Sequence, residues 1–172
     1  MTALQVQQAV SADVDDIAAL WTQASDWLAS IGTSQWQYPV RTHAIRAEVA
    51  AGEVWIVREG GRLLASVTLE ADDDSGLWAP SEGPALYVHR LVVARDGRPN
   101  DLGAAMLDWA ARRARRQCRP WLRLDAWTTN SDLHKYYVDR GFRHLRTDET
   151  VQSGALFERS SAVELHRGPA LI

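Results

Sequence analysis

The stretch Leu86-Tyr-Val-His-Arg-Leu-Val-Val-Ala-Arg-Asp-Gly-Arg-Pro-Asn-Asp-Leu-Gly103 decides the reading of the chain. Leu86 to Val93 is apolar or aromatic apart from His89 and Arg90, the pattern of a strand buried on at least one face. Beyond it Leu102, Ala105, Met106, Trp109 and Ala110 recur at helical spacing. One face of a helix from Asp101 to about Gln117 is therefore apolar and must pack on a sheet. Between them lies a short polar turn with Gly97, Pro99 and Asn100. A strand that turns directly into a helix leaves the helix's first N–H groups unbonded at the positive end of its dipole, a place that favours phosphate. Any strand-turn-helix unit offers this geometry, so the residues downstream of the turn carry the specificity.

Composition narrows the class. The 172 residues suit one domain, residues 1–172, with a single sizeable core; 46% are hydrophobic and 24% charged, as in an ordinary globular protein. A net charge of −3 gives no general attraction to nucleic acid. One cysteine, Cys118, excludes an internal disulfide and a paired-cysteine metal site, and suits a reducing compartment. No run has the length of a membrane span, and Met1-Thr-Ala-Leu-Gln-Val lacks a signal-peptide layout, so a cytoplasmic location is expected. The eight tryptophans suit core packing first and ligand pockets second.

In chain order, Leu4 to Val10 reads as a strand. Ser11-Ala-Asp13 offers caps for a helix with Val14, Ile17, Ala18, Trp21, Ala24 and Leu28 at helical spacing. A turn-rich connection carries Trp36 and Tyr38, and Val40 to Ala51 reads as a second helix ended by Gly52. Glu53 to Arg58 and Arg62 to Glu70 form a hairpin across Glu59-Gly60-Gly61. Asp72-Asp-Asp74 lacks the spacing of a calcium loop and reads as a solvated bend; no metal site is expected. Pro80 to Pro84 delays the next strand. The basic run Arg112 to Arg119 closes its helix with charges the dipole favours. Trp121 to Trp127 is another strand, Asn130 or Ser131 caps a helix that Gly141 closes, and Phe142 to Arg146 and Ala155 to Leu165 are the final strands.

The series Leu91-x-Val93, Arg98-x-x-Asp101-x-Gly103, the Leu122-x-Leu124-Asp125 strand, Asn130 and Tyr137-x-x-x-Gly141-Phe142 resembles the GNAT superfamily of acyl-CoA-dependent N-acetyltransferases. Motif-level similarity covers roughly Leu86 to Arg146, and element order extends it along the chain. The resemblance implies an α/β fold: a mixed, mostly antiparallel central sheet of about seven strands, with flanking helices and splayed central strands. It implies acetyl-CoA as co-substrate and an amine as acceptor.

On this resemblance the pantetheine arm pairs with backbone of Leu91, Val92 and Val93, where Leu86 to Val93 splays from Trp121 to Trp127. The pyrophosphate lies on the turn and first helical residues Arg98, Asn100, Asp101, Leu102, Gly103 and Ala104, and the Asn130 side-chain amide reaches the pantetheine or the strand junction. The family pattern has glycine where Asp101 stands, and Pro99 brings no N–H. Read by itself, Asp101 is an acid in a first helical turn.

Tyr137 matches the tyrosine that protonates the departing thiolate, which a phenol with pKa about 10 can do for a thiol of about 8.5. Alternation puts Tyr87, His89, Leu91 and Val93 on one strand face, with His89 a candidate base and Asp125 and Glu70 weaker ones. Trp36, Tyr38, Tyr87 and Trp127 are expected around the acceptor; Trp36 and Tyr38 equally suit the edge of the core. A small-molecule amine is the expected partner, with no nucleic acid or membrane, in a monomer or homodimer. The alternative is an acyl-CoA-binding module without catalysis; a nucleic-acid adaptor using Arg112 to Arg119 is a third reading.

Overall fold

The computed structural model describes residues 3–79 and 82–172. Met1, Thr2 and the Pro80-Ser81 start of the expected connection lie outside these. The elements are β1 (Val6–Gln8), a 3-10 turn (Ser11–Asp13), α1 (Val14–Ser30), α2 (Thr42–Ala50), β2 (Val54–Glu59), β3 (Arg62–Glu70), β4 (Ala85–Val93), α3 (Leu102–Arg116), β5 (Trp121–Ala126), α4 (Ser131–Val138), β6 (Arg143–Thr147) and β7 (Ala155–Ser160). The sheet is seven-stranded in the order β1-β2-β3-β4-β5-β7-β6. β4 and β5 run parallel, while β1 with β2, β2 with β3, and β7 with both β5 and β6 are antiparallel. The mixed, mostly antiparallel α/β fold expected from the sequence is the one observed.

The chain forms two compact units. The first comprises residues up to Thr68, Arg90–Met106 and Arg167–Ile172. Its core gathers Val14, Ile17, Leu20 and Trp21 of α1, Ile45 and Val49 of α2, and Val54, Ile56, Leu63, Val92 and Ala94 from the strands and the end of β4. The β2–β3 hairpin closes on Gly60 (φ 56°) and Gly61 (φ 82°), two left-handed residues in succession, which is what a two-residue turn matching strand twist demands.

The second unit comprises Leu69–His89 and Leu107–His166. Here β5 pairs with β7 from Trp121↔Ser160 to Ala126↔Ala155, and β6 adds to the outer edge of β7. Two buried ion pairs hold it: Arg123 with Glu158 at 2.9 Å and Arg159 with Asp108 at 3.3 Å.

Three expectations change. β1 is shorter than Leu4 to Val10, because the Val10 N–H donates to the Asp13 carboxylate at 2.8 Å and the chain bends into the 3-10 turn. The Asp13 side chain makes no capping bond to α1; it serves that bend and Arg58 instead. The last strand ends at Ser160 rather than Leu165, because the Val163 N–H turns back onto the Ser160 carbonyl and the amides of Leu165 and His166 donate to Asp108.

Candidate active site

β4 is not a regular strand. Arg90 sits at φ 47°, a left-handed residue inside a strand, which interrupts the pleat. The alternation expected to put Tyr87, His89, Leu91 and Val93 on one face therefore does not run through. Backbone of this kind is strained and persists where the surroundings hold it. The parallel pairing of β4 with β5 covers Ala85–Tyr87 with Trp121–Arg123. Leu86 and Tyr87, expected in the splayed part, are therefore paired.

In the first unit Arg90 faces a pocket. Its walls are Ile17, Trp21, Ile45, Val54 and Val92, and its polar groups are Glu48, Ser66, Thr68 and Arg90. The Arg90 guanidinium pairs with the Glu48 carboxylate and lies 5.7 Å from the Trp21 ring centroid. The Thr68 hydroxyl donates to the other Glu48 oxygen at 3.2 Å. Trp36 packs on Trp21 with ring centroids 5.4 Å apart, so it supports this pocket from behind Trp21. Tyr38 is exposed, beneath the Arg41 guanidinium at 5.6 Å.

After β4 the turn to α3 collects positive charge. Arg98 is half-buried, and its Nε is buried with no hydrogen-bond partner among the described residues. Burial, and then the neighbouring Arg98, hold the Arg95 guanidinium below its usual pKa, with Asp96 opposing. Arg62 reaches the same turn, where a Cβ on Gly97 would run into its guanidinium. Asp101 stands at φ 55°, the left-handed region, and its carbonyl accepts the first helical bond of α3 from the Ala105 N–H at 3.0 Å. The aspartate thus adopts a backbone that glycine takes without strain. Asn100 is exposed, whereas Leu102, Gly103 and Ala104 are buried. As in any helix, the first N–H groups, those of Leu102, Gly103 and Ala104, have no acceptor within α3.

In the second unit His89 stands between two carboxylates: its Nε2 is 3.4 Å from Glu70 and its Nδ1 3.4 Å from Asp125. All three side chains are largely buried, which strengthens their electrostatic coupling. Tyr137 of α4 is buried among Phe142, Phe157 and Tyr136, with ring centroids 5.4 to 5.9 Å away. Burial raises its pKa above the ordinary phenol value, Tyr136 and Asp125 add to the rise, and Arg140 opposes it. Tyr136, the neighbouring ring, is half-buried with the Arg140 guanidinium 3.4 Å over it. Asn130 caps α4, its side-chain oxygen accepting from the Leu133 N–H at 3.0 Å; the amide nitrogen is the end suited to donate to a carbonyl. Trp127 is buried, and its carbonyl accepts from the Asn130 N–H. Tyr87 lies in the core of this unit against Trp78, its hydroxyl 3.4 Å from Arg123.

Four arginines of the basic run engage groups of the same chain. Arg112 and Arg115 pair with Glu164, Arg119 donates to the carbonyls of Ala71 and Ala85, and Arg113 lies over Trp109. Asp73 organises its bend by accepting from the amides of Ser75 and Trp78. Among the described residues no group of three or more His, Cys, Asp or Glu is placed to hold a metal ion, and no helix is long and apolar enough to cross a membrane.

Sequence alone does not mark Trp21, Glu48, Arg62, Arg90 and Arg95 as site residues. Arg90 has a signal, a second charge beside His89 inside an apolar strand. Glu48 follows Ile45 by three positions on the apolar face of α2.

A model of the Acetyltransferase (GNAT) family matches residues 18–142. The relative named "Uncharacterized N-acetyltransferase YesJ", from Bacillus subtilis (strain 168), is 28% identical over 163 residues, 91% of this chain and 89% of its own. Among solved structures, a GNAT-family acetyltransferase from Listeria monocytogenes 4b F2365 has a TM-score of 0.77 at 24% identity, covering 93% of this chain and 98% of that one. The PaiA N-acetyltransferase of Thermoplasma acidophilum, solved in complex with coenzyme A, has a TM-score of 0.72 at 13% identity, covering 92% and 99%.

Proposed function

This chain belongs to the GNAT family of acetyltransferases, and from that premise we propose that it transfers an acetyl group from acetyl-CoA to a primary amine of a small molecule by direct attack in a ternary complex. The observation that carries the co-substrate is the turn into α3. The left-handed residue at 101 opens α3, whose first-turn amides have no acceptor within the helix, and Arg62, Arg95 and Arg98 bring positive charge to that turn. The buried Nε of Arg98 is a donor suited to a phosphate oxygen. The PaiA relative of the same fold binds coenzyme A, which supports an acyl-CoA here.

In the reaction the amine nitrogen forms a bond to the thioester carbonyl carbon, and the carbon–sulfur bond breaks. The nitrogen sheds a proton and the thiolate gains one. His89, with Glu70 and Asp125 to stabilise its imidazolium, is the group we assign to take the first proton, directly or through water. Tyr137 is assigned to supply the second, since its buried phenol remains protonated at neutral pH. Backbone of Leu91 to Val93 is assigned to the pantetheine, and an N–H there to the carbonyl oxygen as charge develops on it. The acceptor is assigned to the pocket of Trp21, Glu48, Thr68 and Arg90, a small one, where an ammonium would take the place of the Arg90 guanidinium on the Glu48 carboxylate.

A thiol-release assay of acetyl-CoA against a panel of amino acids, polyamines and aromatic amines tests this, with Glu48→Gln as the pocket variant. Turnover with at least one amine is expected, with KM for the amine raised in Glu48→Gln and KM for acetyl-CoA unchanged. A purified, folded protein that binds acetyl-CoA and turns over none of the panel contradicts the assignment to small amines.

A further inference from the structure

We infer that the segment Arg167–Ile172 is a strap that holds the Asp101 turn in shape, with Gly168 as its positioning residue; this rests on the reading that the turn binds acyl-CoA. Asp101 adopts a left-handed backbone at φ 55°, which aspartate tolerates better than most residues but which still costs more than it does for glycine, so neighbours that fix it contribute. One such neighbour is Gly168. A Cβ built there would lie 2.5 Å from the Asp101 carbonyl oxygen, 2.9 Å from its carbon and 3.2 Å from the Asn100 oxygen. These are backbone atoms, so no side chain can swing aside to make room. The Asp101 carbonyl is also the one that starts α3 by accepting from the Ala105 N–H.

The other end of the strap is tied. The Leu4 N–H donates to Ala170 at 2.9 Å, the Ile172 N–H to Leu4 at 3.1 Å, and the Val6 N–H to Ile172 at 2.8 Å. Leu171 is buried at 6% exposure and bridges Leu4 in parallel. The strap is therefore anchored beside β1 and pressed against the turn. A methyl group on residue 168 pushes either strap or turn away, and the amides of Leu102 to Ala104 move with the turn.

Four variants test this by titration calorimetry with acetyl-CoA. Gly168→Ala is expected to weaken binding ~10- to 100-fold, the scale on which a misplaced binding group acts. KM for acetyl-CoA rises with it, and KM for the amine stays unchanged, a split that general destabilisation does not give. Gly61→Ala introduces a Cβ at φ 82° with nothing within 4 Å, and is expected to leave binding unchanged. In an Asp101→Gly background the turn needs no outside support, so the loss caused by Leu171→Ala, which withdraws support without adding a clash, shrinks, a coupling between the two positions. Leu171→Ala loosens the tied end without touching the turn and weakens binding in the same direction; it decides the matter if Gly168→Ala does not fold. Parent binding with Gly168→Ala or Leu171→Ala equally tight overturns the strap. So does an undiminished loss from Leu171→Ala in the Asp101→Gly background. No binding by the parent instead overturns the acyl-CoA reading of the turn.

Discussion

Tyr137, like any phenol of pKa about 10, is protonated at neutral pH, and burial among Phe142, Phe157 and Tyr136 raises its pKa further because a buried phenolate lacks the water that would stabilise it. An acid that stays protonated at neutral pH is what a leaving thiolate requires. Replacing Tyr137 by Phe keeps the ring packing and removes the proton. Turnover is expected to fall by about 100-fold with acetyl-CoA affinity unchanged, since positioned proton transfer contributes on that scale; an unchanged kcat removes Tyr137 from the reaction. Asp108 has a different kind of importance. It pairs with Arg159, whose side chain is fully buried, and accepts from the amides of Leu165 and His166. Burial depresses the Arg159 pKa and Asp108 opposes that. Asp108→Ala strands the guanidinium, and chemical unfolding is expected to show a loss of about 3–5 kcal/mol. At this scale Tyr137, Asn130 and the turn from Arg98 to Ala104 were singled out through the family resemblance; from the residues alone Asn130 read as a candidate for the helix cap that it is. Glu48, Trp21 and Arg62 were not legible, since their significance arises from neighbours far along the chain.

The elements were legible where local chemistry sets them. Gly60 and Gly61 dictate the hairpin, and an Ala at 61, at φ 82° with open space around it, is expected to lower stability by about 1 kcal/mol through backbone strain alone. The place of the break in β4, the left-handed Arg90, was not legible, because no glycine marks it. Nor was the work of the basic run, which reads as a solvated last turn. Arg112 and Arg115 of α3 instead clamp Glu164 beyond β7. Burial pushes the Glu164 carboxyl up, the two arginines pull it down further, and the net pKa is lowered. A carboxylate whose folded pKa is depressed contributes stability fully above its unfolded value, about 4.3, and loses that contribution as pH falls through the folded value. The urea midpoint of Glu164→Gln is thus expected to lie below that of the parent at neutral pH and to converge with it in acid. A gap that does not change with pH removes the ionic contribution.

Across the whole molecule the mixed, mostly antiparallel seven-stranded sheet was reached through the family resemblance rather than from periodicity, and the order β1-β2-β3-β4-β5-β7-β6 comes from the structure alone. Alternation fixes which residues form strands, not which strands become neighbours. The fold in turn leaves function to the site. The central claim is that the turn from Arg98 to Ala104 binds acyl-CoA with a left-handed aspartate in place of the family's glycine. Titration calorimetry of the parent with acetyl-CoA, beside Arg98→Ala, tests it most directly. Saturable binding that Arg98→Ala weakens severalfold is the expected result, and no heat of binding in a folded parent contradicts it.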